Sequence, residues 1–516
     1  MSLRALKLLA TIAGVYAAFA VGYYLSREWA VVRLDTVKAA YGHDEFVEIR
    51  LRSRDPVLRE RWLQSPPRAR VLRGDAAMET IGGLREAVLG WDEGRSAWVG
   101  RWPCPWNAQP GEYRVELATE IPKQKALRIR AFRIERRRPA PLPARFAVMT
   151  WESARPLATL SVRAPDGQMK DWRGLLDWTE YVGADAFWML GGQTPGFVDD
   201  EVWVQHNLAM VPQVARECHR RGLKFGVWAM CYLTMSSKHR LPGYEYALEF
   251  EGDKPKLTRA ISLRDRKRPR DVASLLRRFA AVADVDFLGL DYIRNALGGY
   301  ELADDFKAEM PGVKWPADWN RLSREQRMAE LAKRKIARKD AAFIDAWQWW
   351  RAHRAAEAVR EIRRQIGGAK PLWAFTLTWD RGWHHGQDPV MFNDAGADAE
   401  ALMMYEADER QFAQILKDWH SYVRTRDAQL MVGDIVDWPL HQMSPQGPKE
   451  MARRLDAAAR GVYADGPAAG MFVHDLDRAL NGRLGPYSTR AWMDGARAAI
   501  RRFKGPSAPD PLARRT

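Results

Sequence analysis

Cysteine is scarce, with three in 516 residues. No disulfide framework can be built from so few, and no Cys-x-x-Cys or Cys/His cluster with zinc spacing occurs. Cys218 and Cys231 therefore read as small buried thiols in a helix and a strand. The glycine-rich turns of nucleotide and dinucleotide enzymes are missing, and so is the Gly-x-Ser-x-Gly elbow of serine hydrolases. Trp151-Glu152-Ser153-Ala154-Arg155, where an open doubly wound sheet would carry a phosphate turn, is not one. Acidic residues are in deficit, 65 Asp and Glu against 81 Lys and Arg, for a formal net charge of +16. The surplus is spread along the chain without a short basic block of the kind that forms a nucleic-acid arm. It reads as solvated charge, or as the complement of an acidic polymer. No cofactor, metal or nucleic-acid partner is expected.

What is present is a globular composition, 47% hydrophobic and 28% charged, with 23 Trp. Leu8 to Leu25 is an uncharged, mainly apolar run preceded by Arg4 and Lys7. That length is near the lower limit for a membrane-spanning helix, and the basic residues would keep the start in the cytoplasm. Residues 1–28 are thus expected to form a membrane anchor facing the chain toward the periplasm or cell exterior. The alternative is a signal peptide cleaved near Ala18-Phe19-Ala20 and a secreted product.

Between residues 30 and 138 the period is two. Val47, Ile49 and Leu51 alternate with Glu48, Arg50 and Arg52, and Tyr113, Val115 and Leu117 follow the Pro110-Gly111 turn. A small antiparallel all-β sandwich, immunoglobulin-like, is expected here as a spacer or carbohydrate-binding module. Arg136 to Pro143 reads as a stiff linker. From Arg145 short apolar runs alternate with amphipathic segments, as in βα units. Strands are expected at about 145–151, 184–190, 224–231, 285–291, 371–379, 399–405, 428–434 and 469–475. Eight such units over residues 145–503 predict a (β/α)8 TIM barrel, and 504–516 a disordered tail. The long segment 295–340 after the fourth strand, rich in Lys and Arg, is expected to be a solvated helical face or a wall over the site.

Function in such barrels concentrates at the carboxyl ends of the strands. In Phe287-Leu288-Gly289-Leu290-Asp291 the odd positions share a face, so a Gly289 lining the interior puts Asp291 at the mouth. An unpaired buried carboxylate is costly, so Asp291 needs chemistry to do or a partner such as Arg294. The sixth strand ends Leu402-Met403-Met404-Tyr405-Glu406, and if its even positions face inward, Glu406 also reaches the mouth. Two carboxylates facing each other, one protonated and one ionised, are what glycoside hydrolysis needs. Asp434, Asp437, Asp475 and Asp477 are reserves for the second acid, and Glu152 is expected to bind sugar hydroxyls. Trp151, Tyr232, Tyr292, Trp379, Trp383, Tyr405 and Trp438 fall at or just past strand ends, where flat rings stack on sugars. Asp380, His384 and His385 lie in the polar loop after strand five and are expected to donate and accept sugar hydrogen bonds. Adjacent histidines point apart, so a metal is not expected there.

Gly289-Leu290-Asp291-Tyr292-Ile293-Arg294 resembles the G-x-D-Y-x-R strand of bacterial glycoside hydrolase-like barrel families, and Lys370-Pro371 and Tyr405-Glu406 are similar to the same pattern. The resemblance covers about residues 145–500. It implies an exported glycoside hydrolase with Asp291 and Glu406 as the catalytic pair; Tyr292 and Arg294, next to Asp291 in the chain, are expected to bind substrate. The alternative from a different class is a non-catalytic carbohydrate-binding barrel that assists polysaccharide export or assembly.

Overall fold

A computed structural model describes residues 10–22, 32–121, 127–193, 198–233, 243–252, 254–294, 298–336, 340–405, 407–423, 428–438 and 445–505. Residues 10–22 are helical, with Ile12, Val15, Tyr16, Phe19 and Val21 exposed. The remainder of the Leu8–Leu25 run lies outside the described residues. Among the described residues no helix is long and apolar enough to cross a membrane, so the expected anchor is without structural support.

The chain divides into two compact units. The first comprises Met1–Glu135 with Lys307–Trp315 and Ala341–Ala346, and the second Arg136–Phe306 with Pro316–Asp340 and Trp347–Thr516. In the first, a five-stranded sheet runs in the order Leu127–Ile129, Val32–Thr36, Phe46–Arg52, Ala97–Pro103, Gly90–Asp92. A second sheet contains Ala40–Tyr41, Ala131–Ile134, Gly111–Leu117 and Arg68–Arg73, the last flanked by Ala76–Ala77 and Ala87–Val88. Val47, Ile49 and Leu51 are fully buried while Glu48 and Arg50 stay half-buried, the alternation that makes this segment a strand. The inner faces of both sheets share one core, in which Trp62 and Trp98 meet edge to face at 5.0 Å. The expectation of a purely antiparallel sandwich is corrected. Val32–Thr36 pairs parallel with Leu127–Ile129, Ala40–Tyr41 pairs parallel with Ala131–Ile134, and a helix, Pro56–Gln64, interrupts the strands. A period-two pattern reports which face is buried and carries no information on strand direction.

The second unit is a closed barrel of eight parallel strands: Phe146–Trp151, Ala186–Gln193, Lys224–Met230, Phe287–Asp291, Leu372–Leu377, Ala399–Met403, Leu430–Ile435 and Gly470–His474. Every strand read from the sequence is present. Most are buried at every position because helices cover the outside and side chains fill the inside. Outer helices include Arg173–Val182, Val198–Arg220, Arg268–Ala280, Glu409–Tyr422, Pro448–Gly461 and Thr489–Lys504. Segment 295–340 contributes the helices Ala303–Glu309 and Arg324–Ile336. Two of its basic residues are paired, Arg327 with Asp304 at 2.7 Å and Arg324 with Glu245 at 3.2 Å.

Large rings and glycines alternate inside the barrel. Phe146, Trp188, Trp228, Phe287, Trp373, Phe375 and Phe472 point inward, and Trp188 stacks on Trp373 at 4.2 Å. Opposite them a Cβ on Gly226 would lie 2.2 Å from Trp188, on Gly289 2.3 Å from Trp373, and on Gly433 2.1 Å from Phe472. These glycines exist to admit the rings. Gly289→Ala is expected to destabilise the barrel by about 1–3 kcal/mol, read as a lower urea midpoint with an unchanged slope. Because Gly289 faces the interior, Asp291 two residues on faces the mouth.

Candidate active site

Asp291 closes the fourth strand and is 4% exposed. Its carboxyl accepts the Tyr292 amide at 2.7 Å, and Tyr292 itself holds a left-handed backbone, φ 49°. That conformation costs a non-glycine residue about 1–2 kcal/mol, and strain of this kind collects at functional sites. The Arg294 guanidinium lies 4.5 Å from the Tyr292 ring centroid.

The first strand brings a second carboxylate to the same mouth. Phe146 and Val148 belong to the barrel interior, so the alternation continues inward through Thr150 to Glu152. On the eighth strand Phe472 is interior, and His474 follows on the same face. The His474 Nε2 lies 2.9 Å from Glu152 Oε2 and 3.4 Å from Asp475 Oδ2. Its Nδ1 lies 3.3 Å from Thr150 Oγ1, whose hydroxyl donates to the Val473 carbonyl at 3.1 Å. Nε2 faces two carboxylates, and with the hydroxyl proton directed to Val473 the Thr150 oxygen can accept from Nδ1. Two carboxylates at Nε2 and a hydroxyl oxygen at Nδ1 favour the protonated ring. Tyr405 stacks on it at 5.6 Å, with 7° between the planes, the face that attracts a cation.

These contacts set the proton affinities apart. Burial pushes the Asp291 carboxyl up to about 7 and the Glu152 charge adds to it, against the opposing effects of Arg294, the Tyr292 amide and His474. Burial also pushes Glu152 up, but its bond to His474 and the charges of His474 and Arg478 outweigh that and hold it below the ordinary carboxylate value. Burial lowers His474, and Asp475 and Glu152 more than restore it. Asp475 is pushed up to about 6 by burial, with His474 opposing. It also caps the helix Leu476–Asn481 by accepting the Arg478 amide at 3.0 Å. Below about pH 7 the mouth thus holds a carboxyl that keeps most of its proton and another that gives its proton up more readily than an ordinary carboxylate, the division of labour that acid–base catalysis requires. His474→Gln is expected to raise the Glu152 carboxyl and to cost about 3–5 kcal/mol by breaking a buried ion pair, read as a lower Tm at pH 7.

Among the described residues Glu152, His474 and Asp475 have donor atoms within 4.8 Å of one another, the one grouping there able to hold a metal. The His474 N–H already stands between the two carboxylates, and Arg478 Nε lies 3.7 Å from Asp475. Arg478 already places a guanidinium charge beside this group.

Other sequence-derived candidates fall differently. Glu406 lies outside the described residues. The register argument for it is corrected, because Ala399, Ala401, Met403 and Tyr405 are the interior positions of the sixth strand and Leu402 is on the helix side. Asp434 is also corrected: Met431 and Ile435 face inward, and Asp434 points outward to an ion pair with Arg454 at 3.0 Å, both side chains buried. Asp437 is clamped by Arg483 at 2.7 Å and Arg478 at 3.2 Å, and Asp477 lies 3.9 Å from Arg155. The aromatic rim is thinner than expected. Trp151 is 1% exposed on the helix side of its strand, and Tyr232 is also 1% exposed. Trp383 is buried, donating to Asp388 Oδ2 at 2.6 Å, and Asp388 in turn caps the helix Pro389–Ala395. Tyr292, Trp379 and Trp438 remain half-buried. Asp380 belongs to the turn Trp379–His385, with a side chain outside the described set. In that turn His384 is exposed and His385 half-buried, held by Arg351 donating to the His384 carbonyl at 2.9 Å. His474, Thr150 and Arg478 were not foreseen.

No family model and no curated protein matches the sequence. Solved structures with a similar chain trace include an endo-β-N-acetylglucosaminidase from Cordyceps militaris, 9% identical over 69% of this chain and 91% of that one, TM-score 0.32. The GH18 chitinase ChiB of Flavobacterium johnsoniae is 9% identical over 69% of this chain and 94% of that one, TM-score 0.35. An α-galactosidase from Lactobacillus brevis is 12% identical over 70% of this chain, which spans 40% of that protein, TM-score 0.33. Likeness this distant carries no functional argument. The chemistry rests on the residues.

Proposed function

We propose that the barrel is a glycoside hydrolase acting on a poly- or oligosaccharide, with Asp291 as proton donor and Glu152 as the ionised partner. The observation that carries this reading is the pairing itself. Two carboxylates stand on interior positions at the carboxyl ends of barrel strands, with proton affinities driven in opposite directions. Tyr405, stacked on His474, and Tyr292, next to Asp291, would flank the sugar, with Trp379, Trp438, His384 and His385 past the strand ends as further contacts. The basic surface suits an acidic polymer. Export, by an anchor or a cleaved leader, rests on the apolar run Leu8–Leu25 behind Arg4 and Lys7.

A second reading, a non-catalytic barrel that binds carbohydrate during export or assembly, draws on burial. Asp291 is 4% exposed and the Glu152 side chain 13%. Reducing-end release from neutral and uronic-acid oligosaccharides decides between them. Hydrolysis by the wild type that is lost in Glu152→Gln supports the enzyme. Saturable binding without cleavage supports the second reading.

A further inference from the structure

At the opposite end of the barrel a cleft of about 890 Å³ opens between the helices Pro448–Gly461 and Thr489–Lys504 and residues that precede strands. Arg145 stands just before the first strand, Pro467 before the eighth, and Gly505 after the helix Thr489–Lys504. Five guanidinium groups line it, those of Arg145, Arg460, Arg497, Arg501 and Arg502, against the carboxylates of Asp456 and Asp494. Both carboxylates are engaged. Asp456 pairs with Arg460 at 2.7 Å and lies 3.8 Å from Arg502, and Asp494 accepts the Tyr181 hydroxyl. Among the described residues neither Arg145 nor Arg501 makes an ion pair. Ala459, Ala498 and Phe503 provide an apolar wall.

Basic residues in the last turn of a helix offset its dipole, which accounts for Arg460, Arg501 and Arg502. It does not account for Arg145, which joins from a separate segment in a left-handed backbone conformation, φ 52°, with its guanidinium donating to the Lys504 carbonyl at 2.7 Å. Nor does it account for Arg497, a turn further back and 5.2 Å from the Tyr181 ring centroid.

We propose that this cleft binds an organic phosphate monoester. Its phosphoryl group would be held by the planar guanidinium forks of Arg145, Arg460 and Arg501, and its uncharged body would lie on Ala459, Ala498 and Phe503. Arginine forks match phosphate oxygens in pairs, and the volume is that of a small-molecule site rather than a bare oxyanion. The site is remote from Asp291 and stands independently of the proposed hydrolysis.

Calorimetry on the full chain at about 0.15 M salt, a concentration that screens diffuse surface charge, tests this with phenyl phosphate, inorganic phosphate and phenol. Phenyl phosphate is expected to bind saturably with Kd below about 1 mM. Inorganic phosphate is expected to bind about tenfold more weakly, a 1.4 kcal/mol difference, and phenol not at all. The double variant Arg460→Gln/Arg501→Gln, both exposed positions, is expected to weaken phenyl phosphate at least tenfold with an unchanged Tm. Absence of saturable binding, or binding unaltered by the double variant, overturns the site. Equal affinity for phosphate and phenyl phosphate overturns the apolar half of the assignment.

Discussion

Asp291→Asn is expected to lower glycosidic cleavage by about 10²–10⁴-fold while oligosaccharide binding persists, and to make the protein more stable above pH 7. Both results have one cause. A proton donor must hold its proton at working pH, and burial lets Asp291 do so up to about 7. The wild-type rate should therefore fall as pH rises through about 7. It should also fall in acid, as Glu152 takes up a proton below its ordinary value. The stability effect follows by linkage. Asp291 releases its proton near 3.8 when unfolded and near 7 when folded. The stabilising contribution of the protonated group is complete below the unfolded value and is lost as pH rises through the folded one. At pH 8 the folded protein bears the whole cost of the buried charge, a few kcal/mol at about 1.4 kcal/mol per unit. Asn does not titrate. The variant and wild type should melt together near pH 4 and diverge in favour of the variant by pH 8. Parallel melting across that range would contradict the placement.

Arg454→Met should cost about 3–5 kcal/mol of stability. Arg454 is fully buried, 3.0 Å from Asp434, and donates to the carbonyls of Ala407 and Met404 at 2.8 Å each. Removing it strands Asp434, whose carboxyl burial already pushes up and Arg454 holds down. The stranded group keeps a proton to higher pH, so the loss should be larger at pH 8 than at pH 5. Adding Asp434→Asn should recover much of it, because the uncompensated charge is gone. Urea unfolding of the two variants at both pH values measures this. If Asp434 served as a catalytic acid instead, stability would change little and activity would fall.

The barrel was legible because its strands are short apolar runs between amphipathic helices, and that contrast survives in the sequence. Position on the strand was legible where size broke the symmetry. Gly289 lies among bulky neighbours, so its interior placement, and hence that of Asp291, could be reasoned. The sixth strand offered no such break. In Ala399-Glu400-Ala401-Leu402-Met403-Met404 both faces carry apolar side chains. The structure turns the small alanines inward against Trp373, Phe375 and Phe472, with Leu402 under the helices. That choice depends on what the neighbouring strands supply, which no local pattern encodes. Glu152 shows in the sequence only as a sugar-binding candidate, because its charge depends on His474, 322 residues further along the sequence. The step Gly470–Phe472–His474 was the available signal, since every second residue of that strand faces the interior. The rim aromatics were overcounted because nearness to a strand end does not distinguish the mouth from the layer beneath the helices, where Trp383 and Trp151 lie.

The division of protons between Asp291 and Glu152 can be measured without knowing the substrate. Carboxyl carbon NMR of the protein labelled at Asp and Glu, assigned with Asp291→Asn and Glu152→Gln, follows each group through pH. Asp291 should titrate near 7 and Glu152 below 4.5. Two ordinary carboxylate titrations, or the reverse order, would contradict the site.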